Sequence, residues 1–100
     1  MEVLESDISE GFESLYSAER ILLEDTFLAH PEAQRLLMRA IAVEPTLRFD
    51  ASYRLRHDLP ATSTVNTALR RLVLESTVEK TDDGYHLADP LLAYHLRMHQ

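Results

Sequence analysis

The sequence predicts a mainly α-helical fold with one short β-hairpin, and three observations in its second half support this. Leu59-Pro60 forms a turn between two apolar segments. Residues 78–87 alternate around Asp83-Gly84, a pair typical of a hairpin turn. Between them, apolar residues recur at the spacing of an amphipathic helix: Val65, Ala68, Leu69, Leu72 and Val73. Turn, helix and hairpin in this order predict a winged helix-turn-helix, with a three-helix core and a β-hairpin wing.

The N-terminal segment predicts an acidic helical extension over residues 1–30. Apolar residues recur at helical spacing from Asp7 to Leu28. Gly11 and Ser17 are expected to divide this segment into two helices, with Ser17 as the cap of the second. The extension is expected to pack on the winged helix or on a second copy of the chain, because its larger apolar side chains need cover: Phe12, Leu15, Leu22 and Phe27.

The winged-helix domain is predicted to occupy residues 31–100. Pro31 suits the first turn of a helix that is expected to continue to about Val43, before Pro45. Asp50 is expected to cap a short helix over residues 51–58.

Two further boundaries complete the domain. Thr62 or Ser63 is expected to cap the helix that follows the turn, and Asp89-Pro90 predicts a C-terminal helix from Leu91 to near His99. The expected core draws on all these elements: Leu36, Leu37, Ile41, Leu55, Val65, Leu69, Leu72, Val78, Leu87 and Leu91.

Length and composition indicate a single intracellular domain. A chain of 100 residues with 45% hydrophobic residues buries one small core. It has no cysteine, and its acidic N-terminus differs from a targeting peptide, so a cytoplasmic location without membrane contact is expected. The net charge of −7 is uneven: residues 1–30 carry eight acids and one base, whereas residues 45–80 carry six bases and four acids.

Several segments share a pattern with one known family: Phe49-Asp50-Ala51-Ser52-Tyr53, Leu59-Pro60, Ser63-Thr64-Val65, Ala68-Leu69, Leu72, Val78-Glu79-Lys80, Gly84-Tyr85, Leu87 and Asp89-Pro90-Leu91. Together these residues resemble the C-terminal winged-helix domain of prokaryotic P-loop ATPases of the AAA+/STAND type. The resemblance covers about residues 35–100 and departs from the family at Ser76-Thr77, where glycine and an aliphatic residue are usual. It implies a parent ATPase, whose core this module would contact or regulate, with the extension as linker.

No residue pattern predicts catalysis, a cofactor or a metal centre. The chain has two glycines and one lysine, which excludes a phosphate-binding P-loop within it. His95 and His99 have the spacing of a metal-binding pair but lack a third ligand, so packing or surface roles are expected. His57 and Asp58 are adjacent in sequence, which places them poorly for a catalytic hydrogen bond.

Two functions remain open for the helix after the turn, namely protein docking and DNA reading. Its exposed face is predicted to carry Thr64, Asn66, Thr67, Arg70 and Arg71. Arginine and asparagine side chains can hydrogen-bond the edges of DNA bases. Three further basic side chains could contact phosphates or a protein partner: Arg54, Arg56 and Lys80.

The chain has a net negative charge, and its wing tip is Asp82-Asp83, so both would repel the phosphates of a DNA backbone. Protein docking is therefore preferred. The partner would be an ATPase core or a second copy in a homodimer. Only weak DNA binding is expected. Pairing of Arg70 or Arg71 with Glu75 is compatible with docking.

Overall fold

The computed structural model describes residues 5–99, with the side chains of residues 5–10 and 12 outside that description. Five helices and one hairpin follow one another: α1 (Glu5–Leu28), α2 (Glu32–Val43), α3 (Ala51–Arg56), α4 (Thr62–Leu74), β1 (Val78–Thr81), β2 (Gly84–Leu87) and α5 (Pro90–Met98). Helix α2 packs against α4, α5 and β2, and α1 packs against α5. This mainly helical winged-helix architecture is the one that the sequence predicts.

Helix α1 is continuous, so the predicted division at Gly11 and Ser17 is wrong. A single glycine costs a helix only about 1 kcal/mol relative to alanine, and the space around Gly11 is open. Ser17 is exposed and does not interrupt the helix. The later turns of α1 pack against α5, and this packing stabilises the helix more than its local helix propensity does.

The contact between α1 and α5 combines apolar packing with a polar network. Phe27 is 1% exposed, and the guanidinium of Arg39 on α2 lies 4.9 Å from its ring centre. His95 is buried on α5, where its Nε2 bonds the Glu24 carboxylate and its Nδ1 lies 2.8 Å from the Tyr16 hydroxyl. The same hydroxyl lies 3.0 Å from Nε2 of His99. These two histidines therefore fasten α5 to α1.

The prolines and the aspartate caps set the helix boundaries largely as predicted. Helix α2 begins after Pro31 and ends before Pro45. The Asp50 carboxylate accepts a 2.8 Å hydrogen bond from the backbone N–H of Tyr53, and the Asp89 carboxylate caps α5 by accepting from Leu91 N–H at 2.9 Å. Each of these two caps satisfies a backbone donor that has no partner within its own helix.

The cap of α4 differs from the prediction. Ala61 occupies the N-cap position, without a side-chain hydrogen bond, and Thr62 is already helical. The Ala61 carbonyl accepts from Val65 N–H at 3.0 Å, so the first helical hydrogen bond starts one residue earlier than the hydroxyl residues suggest.

Helices α3 and α4 both end with a residue in the left-handed region. Asp58 has φ 52° and Ser76 has φ 62°. After α3, which is shorter than the predicted 51–58, Leu59 N–H donates to the Arg54 carbonyl at 2.8 Å. After α4, Thr77 N–H donates to the Leu72 carbonyl at 2.9 Å. This is the Schellman arrangement in which glycine is usual, so Ser76 adopts the glycine conformation at the corner where the resemblance breaks down.

The hairpin pairs Val78 with Leu87 and Thr81 with Gly84, so its turn is Asp82-Asp83, one residue earlier than predicted. Gly84 opens β2 with φ 143°, and a Cβ there would lie 2.9 Å from the backbone of Thr46. Glycine is therefore required where the wing approaches the segment after α2, and Tyr85 N–H donates to the Thr46 carbonyl at 2.9 Å.

Half of the residues predicted for the core are fully buried, and one of the others, Leu55, is clearly not part of the core. Leu36, Leu69, Leu87 and Leu91 are partly buried. Leu55 is 81% exposed, because α3 is only six residues long and turns Tyr53 inward instead. Val73 is also exposed, at the edge of the α4 stripe. The predicted residues in the buried cluster are Leu37, Ile41, Val65, Leu72 and Val78.

Candidate functional site

Helix α4 presents an exposed face on the side opposite the core. Val65, Ala68 and Leu72 are buried against the rest of the domain. All five residues predicted for the outer face are exposed: Thr64, Asn66, Thr67, Arg70 and Arg71. The structure thus brings together the residues that the sequence proposed as a recognition surface.

The two arginines of this face differ in their partners. The Nε of Arg71 donates to the Glu75 carboxylate one helical turn later. Among the described residues, the structure assigns no ion pair to Arg70. An i,i+4 pair on an exposed helix contributes only about 0.3–0.5 kcal/mol, yet it places a negative charge next to Arg71. Arg70 is therefore the principal unneutralised positive charge on the α4 face.

Leu74 is an apolar member of the α4 face that the sequence reasoning omitted. It is 73% exposed and lies seven residues after Thr67, hence on the same side of the helix. That spacing was the signal that could have identified it. A large exposed leucine beside Arg70 suits a protein surface better than a DNA groove lined with phosphates.

An open groove runs beside α4, with a volume of about 510 Å³. The N-terminal turn of α2 forms one wall with Pro31, Ala33 and Gln34. The other wall belongs to α4 and includes Thr64, Ala68 and Arg71. No local sequence pattern indicates this groove, because its two walls belong to helices that are far apart in the chain.

The bases of α3 contact their own chain. Arg54 donates to the Phe49 carbonyl at 2.7 Å, in a partly buried position. Arg56 pairs with Glu44 at 2.5 Å between Nη2 and Oε2, and the His57 ring lies 3.1 Å from the other carboxylate oxygen. Hydrogen bonds from Arg56 and then His57 hold the pKa of Glu44 below its usual value.

Tyr53 anchors this arrangement from inside the domain. It is buried, and its hydroxyl donates to the Glu44 carbonyl at 2.8 Å. Burial is the main reason that the pKa of Tyr53 is raised above its ordinary value. Arg56 and His57 thus connect α3 to the end of α2, and the positive charge of Arg56 faces the Glu44 carboxylate.

The wing carries its charges in an arrangement that is unfavourable for a phosphate backbone. Lys80 lies over the ring of Tyr85, with Nζ 5.8 Å from the ring centre. The exposed turn beyond it is Asp82-Asp83. A wing that approached DNA would bring these two carboxylates close to phosphates, which repel them.

One family model matches the chain, under the description of a probable winged helix domain, and the match covers residues 14–98. It includes the second half of α1 together with every later helix and the hairpin. No curated protein and no solved structure gives a match. Among the described residues, no helix has the length and apolar character needed to cross a bilayer.

Proposed function

This chain belongs to the family of probable winged helix domains, and from that premise we propose that it is a non-catalytic module that docks protein through the exposed face of α4. The observation that carries the proposal is that two of its basic side chains are paired with acidic side chains. Arg56 faces Glu44 and Arg71 faces Glu75. A base that is neutralised by an adjacent acid adds little to the positive potential that phosphates require.

The surface that remains is mixed rather than strongly basic. Arg70 offers one charge, and Leu74 offers an apolar side chain. The groove between α2 and α4, lined by Thr64, Thr67 and Arg71 of the same helix, has room for a partner side chain. Arginine and exposed apolar residues around a concave site are the usual composition of a protein-docking surface.

The partner is an acidic and apolar protein surface, and the ATPase core of a parent protein is the candidate that the sequence resemblance suggests. That core would receive the module as a regulatory contact. The affiliation with AAA+/STAND ATPases rests on the resemblance of residues 35–100 alone.

DNA reading is the second candidate function, and one observation favours it. Asn66, Thr67 and Arg70 are all exposed on the helix that would enter a major groove. Asparagine and arginine can bond adenine and guanine edges in pairs. The acidic wing tip and the pairing of Arg56 and Arg71 with acids weigh against it.

A photocrosslinking experiment tests the docking proposal. The variant Leu74→p-benzoylphenylalanine is expressed in cells and irradiated. It should form one crosslinked adduct whose second component is digested by protease and not by nuclease. Adding Arg70→Glu should lower its yield by about fivefold or more, since a central interface charge contributes above ~1 kcal/mol. The probe at the exposed Leu55 of α3 is the control and should not yield that adduct. Adducts that consist of DNA, or a yield unaffected by Arg70→Glu, would reject the proposal.

A further inference from the structure

Helix α1 has a second apolar face, directed away from the domain. Its inward face buries Leu23 and Phe27. The outward face carries four large side chains that are between 51% and 71% exposed, so they have no cover within the described part of the chain: Leu15, Ile21, Leu22 and Leu28. A helix that is apolar on both sides is expected to be covered on both sides.

The spacing of this outward face matches that of helix-helix packing. Leu15, Ala18 and Leu22 follow one another at intervals of three and four residues, and Ala18 is also exposed. Ile21 and Leu28 form a parallel row seven residues apart. Such a stripe accommodates an amphipathic helix, whose apolar side chains lie between those of α1.

The charges around the stripe define its partner. Glu19 and Asp25 lie three residues before and after Leu22, hence on its two sides along the helix surface. Residues 1–30 contain eight acids against the single base Arg20. Glu19 and Asp25 therefore make the surroundings of Leu22 acidic, whereas Arg20 lies with Ile21 at the edge of the stripe, on a groove that α1 forms with α2 and α5.

A second copy of α1 would place acids against acids, which is destabilising at the flanks of paired helices. A helix with lysine or arginine beside an apolar stripe complements both features. We propose that the outward face of α1, made by Leu15, Ala18, Ile21, Leu22 and Leu28, docks a basic amphipathic helix of a partner protein. This surface is separate from the α4 face and does not depend on the function proposed for it.

Two synthetic peptides test this proposal on the full chain. One has leucine at the a and d positions of three heptads and lysine at e and g, and its twin has glutamate in place of lysine. The lysine peptide should bind at least about tenfold more tightly than the glutamate peptide, and added salt should reduce this difference in affinity. Equal binding of the two peptides, or no binding of the lysine peptide, would overturn the proposal.

Matched variants identify the binding face. Leu15→Ser with Leu22→Ser should weaken lysine-peptide binding by about tenfold or more, because two apolar contacts are lost. Leu55→Ser with Met98→Ser removes two apolar side chains elsewhere, which are 81% and 61% exposed, and should leave binding unchanged. Equal weakening by both pairs would show that the peptide has no preference for α1, and would contradict the proposal.

A charge exchange and a sedimentation measurement complete the test. Glu19→Lys with Asp25→Lys should shift the preference toward the glutamate peptide. Because both side chains lie outside the buried core, circular dichroism should show an intact fold. Sedimentation equilibrium should show a monomer without peptide. A dimer that Leu15→Ser with Leu22→Ser dissociates would instead assign the face to a second copy.

Discussion

Replacing Phe27 with alanine is expected to lower the free energy of unfolding by about 3–5 kcal/mol, the usual range for removing a buried aromatic side chain. Phe27 is the most deeply buried of the described side chains of α1 and belongs to the apolar cluster of the domain. The substitution leaves a cavity beneath Arg39, whose guanidinium packs on the ring. Since a domain of this size is stable by only about 5–15 kcal/mol, the variant should be markedly easier to unfold.

Urea denaturation followed by circular dichroism measures this loss. Leu22→Ala is the control, because Leu22 lies on the same helix with its side chain mostly exposed. It should change the free energy of unfolding by less than about 0.5 kcal/mol. If Phe27→Ala costs as little as Leu22→Ala, α1 does not belong to the cooperative unit that the later helices form.

Leu72→Ala is expected to cost about 2–5 kcal/mol, because Leu72 is fully buried where α4 meets the core. Its carbonyl also receives the hydrogen bond from Thr77 that closes α4. Leu69→Ala should cost less, since Leu69 is only partly buried at the edge of the cluster. Leu74→Ala, at an exposed position, should change stability by under about 0.5 kcal/mol.

The order of the three losses is the decisive result. Midpoints and slopes of urea unfolding give the free energy for each variant. A larger loss for Leu74→Ala than for Leu72→Ala would mean that the assignment of the two faces of α4 is inverted. The exposed recognition face would then have been placed on the wrong side.

The bounds of α2 and the starts of α3 and α5 could be predicted because single residues determine them locally. Pro31 and Pro45 bracket α2, while Asp50 and Asp89 cap α3 and α5 with their own side chains. Periodicity identified the buried stripe of α4, since the face of a helix follows from spacing alone. These signals act within a few residues, so they can be read from the chain without knowledge of its tertiary contacts.

The remaining features depend on tertiary contacts, which local patterns do not encode. Leu55 was predicted as core, but Tyr53 fills the inward position of the short helix α3. Gly11 was predicted to break α1, whereas the helix continues through it. Leu15 and Leu22 were expected to find cover on the domain or a second copy. Among the described side chains, the domain covers Phe27 and leaves both leucines exposed. Phe12 lies outside the described side chains.

The position of the candidate site was predicted from the sequence, but the partners of its basic side chains were predicted only in part. Spacing placed Arg70 and Arg71 on the exposed side of α4, and the local pair between Arg71 and Glu75 was foreseeable from their i,i+4 spacing. Arg56 and Glu44 are twelve residues apart, and Arg54 bonds a backbone carbonyl. The sequence could not show that these bases face their own chain.

Fluorescence anisotropy against a randomised duplex pool, combined with selection of bound sequences, tests most directly whether the α4 face docks protein or reads DNA. If the α4 face docks protein, only non-specific DNA binding is expected, with a dissociation constant of about 10⁻⁴–10⁻⁶ M at physiological salt and no enriched site. The variant Arg70→Glu with Arg71→Glu reports whether any DNA binding depends on α4. Selection of one defined site with nanomolar affinity, abolished in this variant, would reject protein docking as the role of this face and establish the chain as a DNA reader.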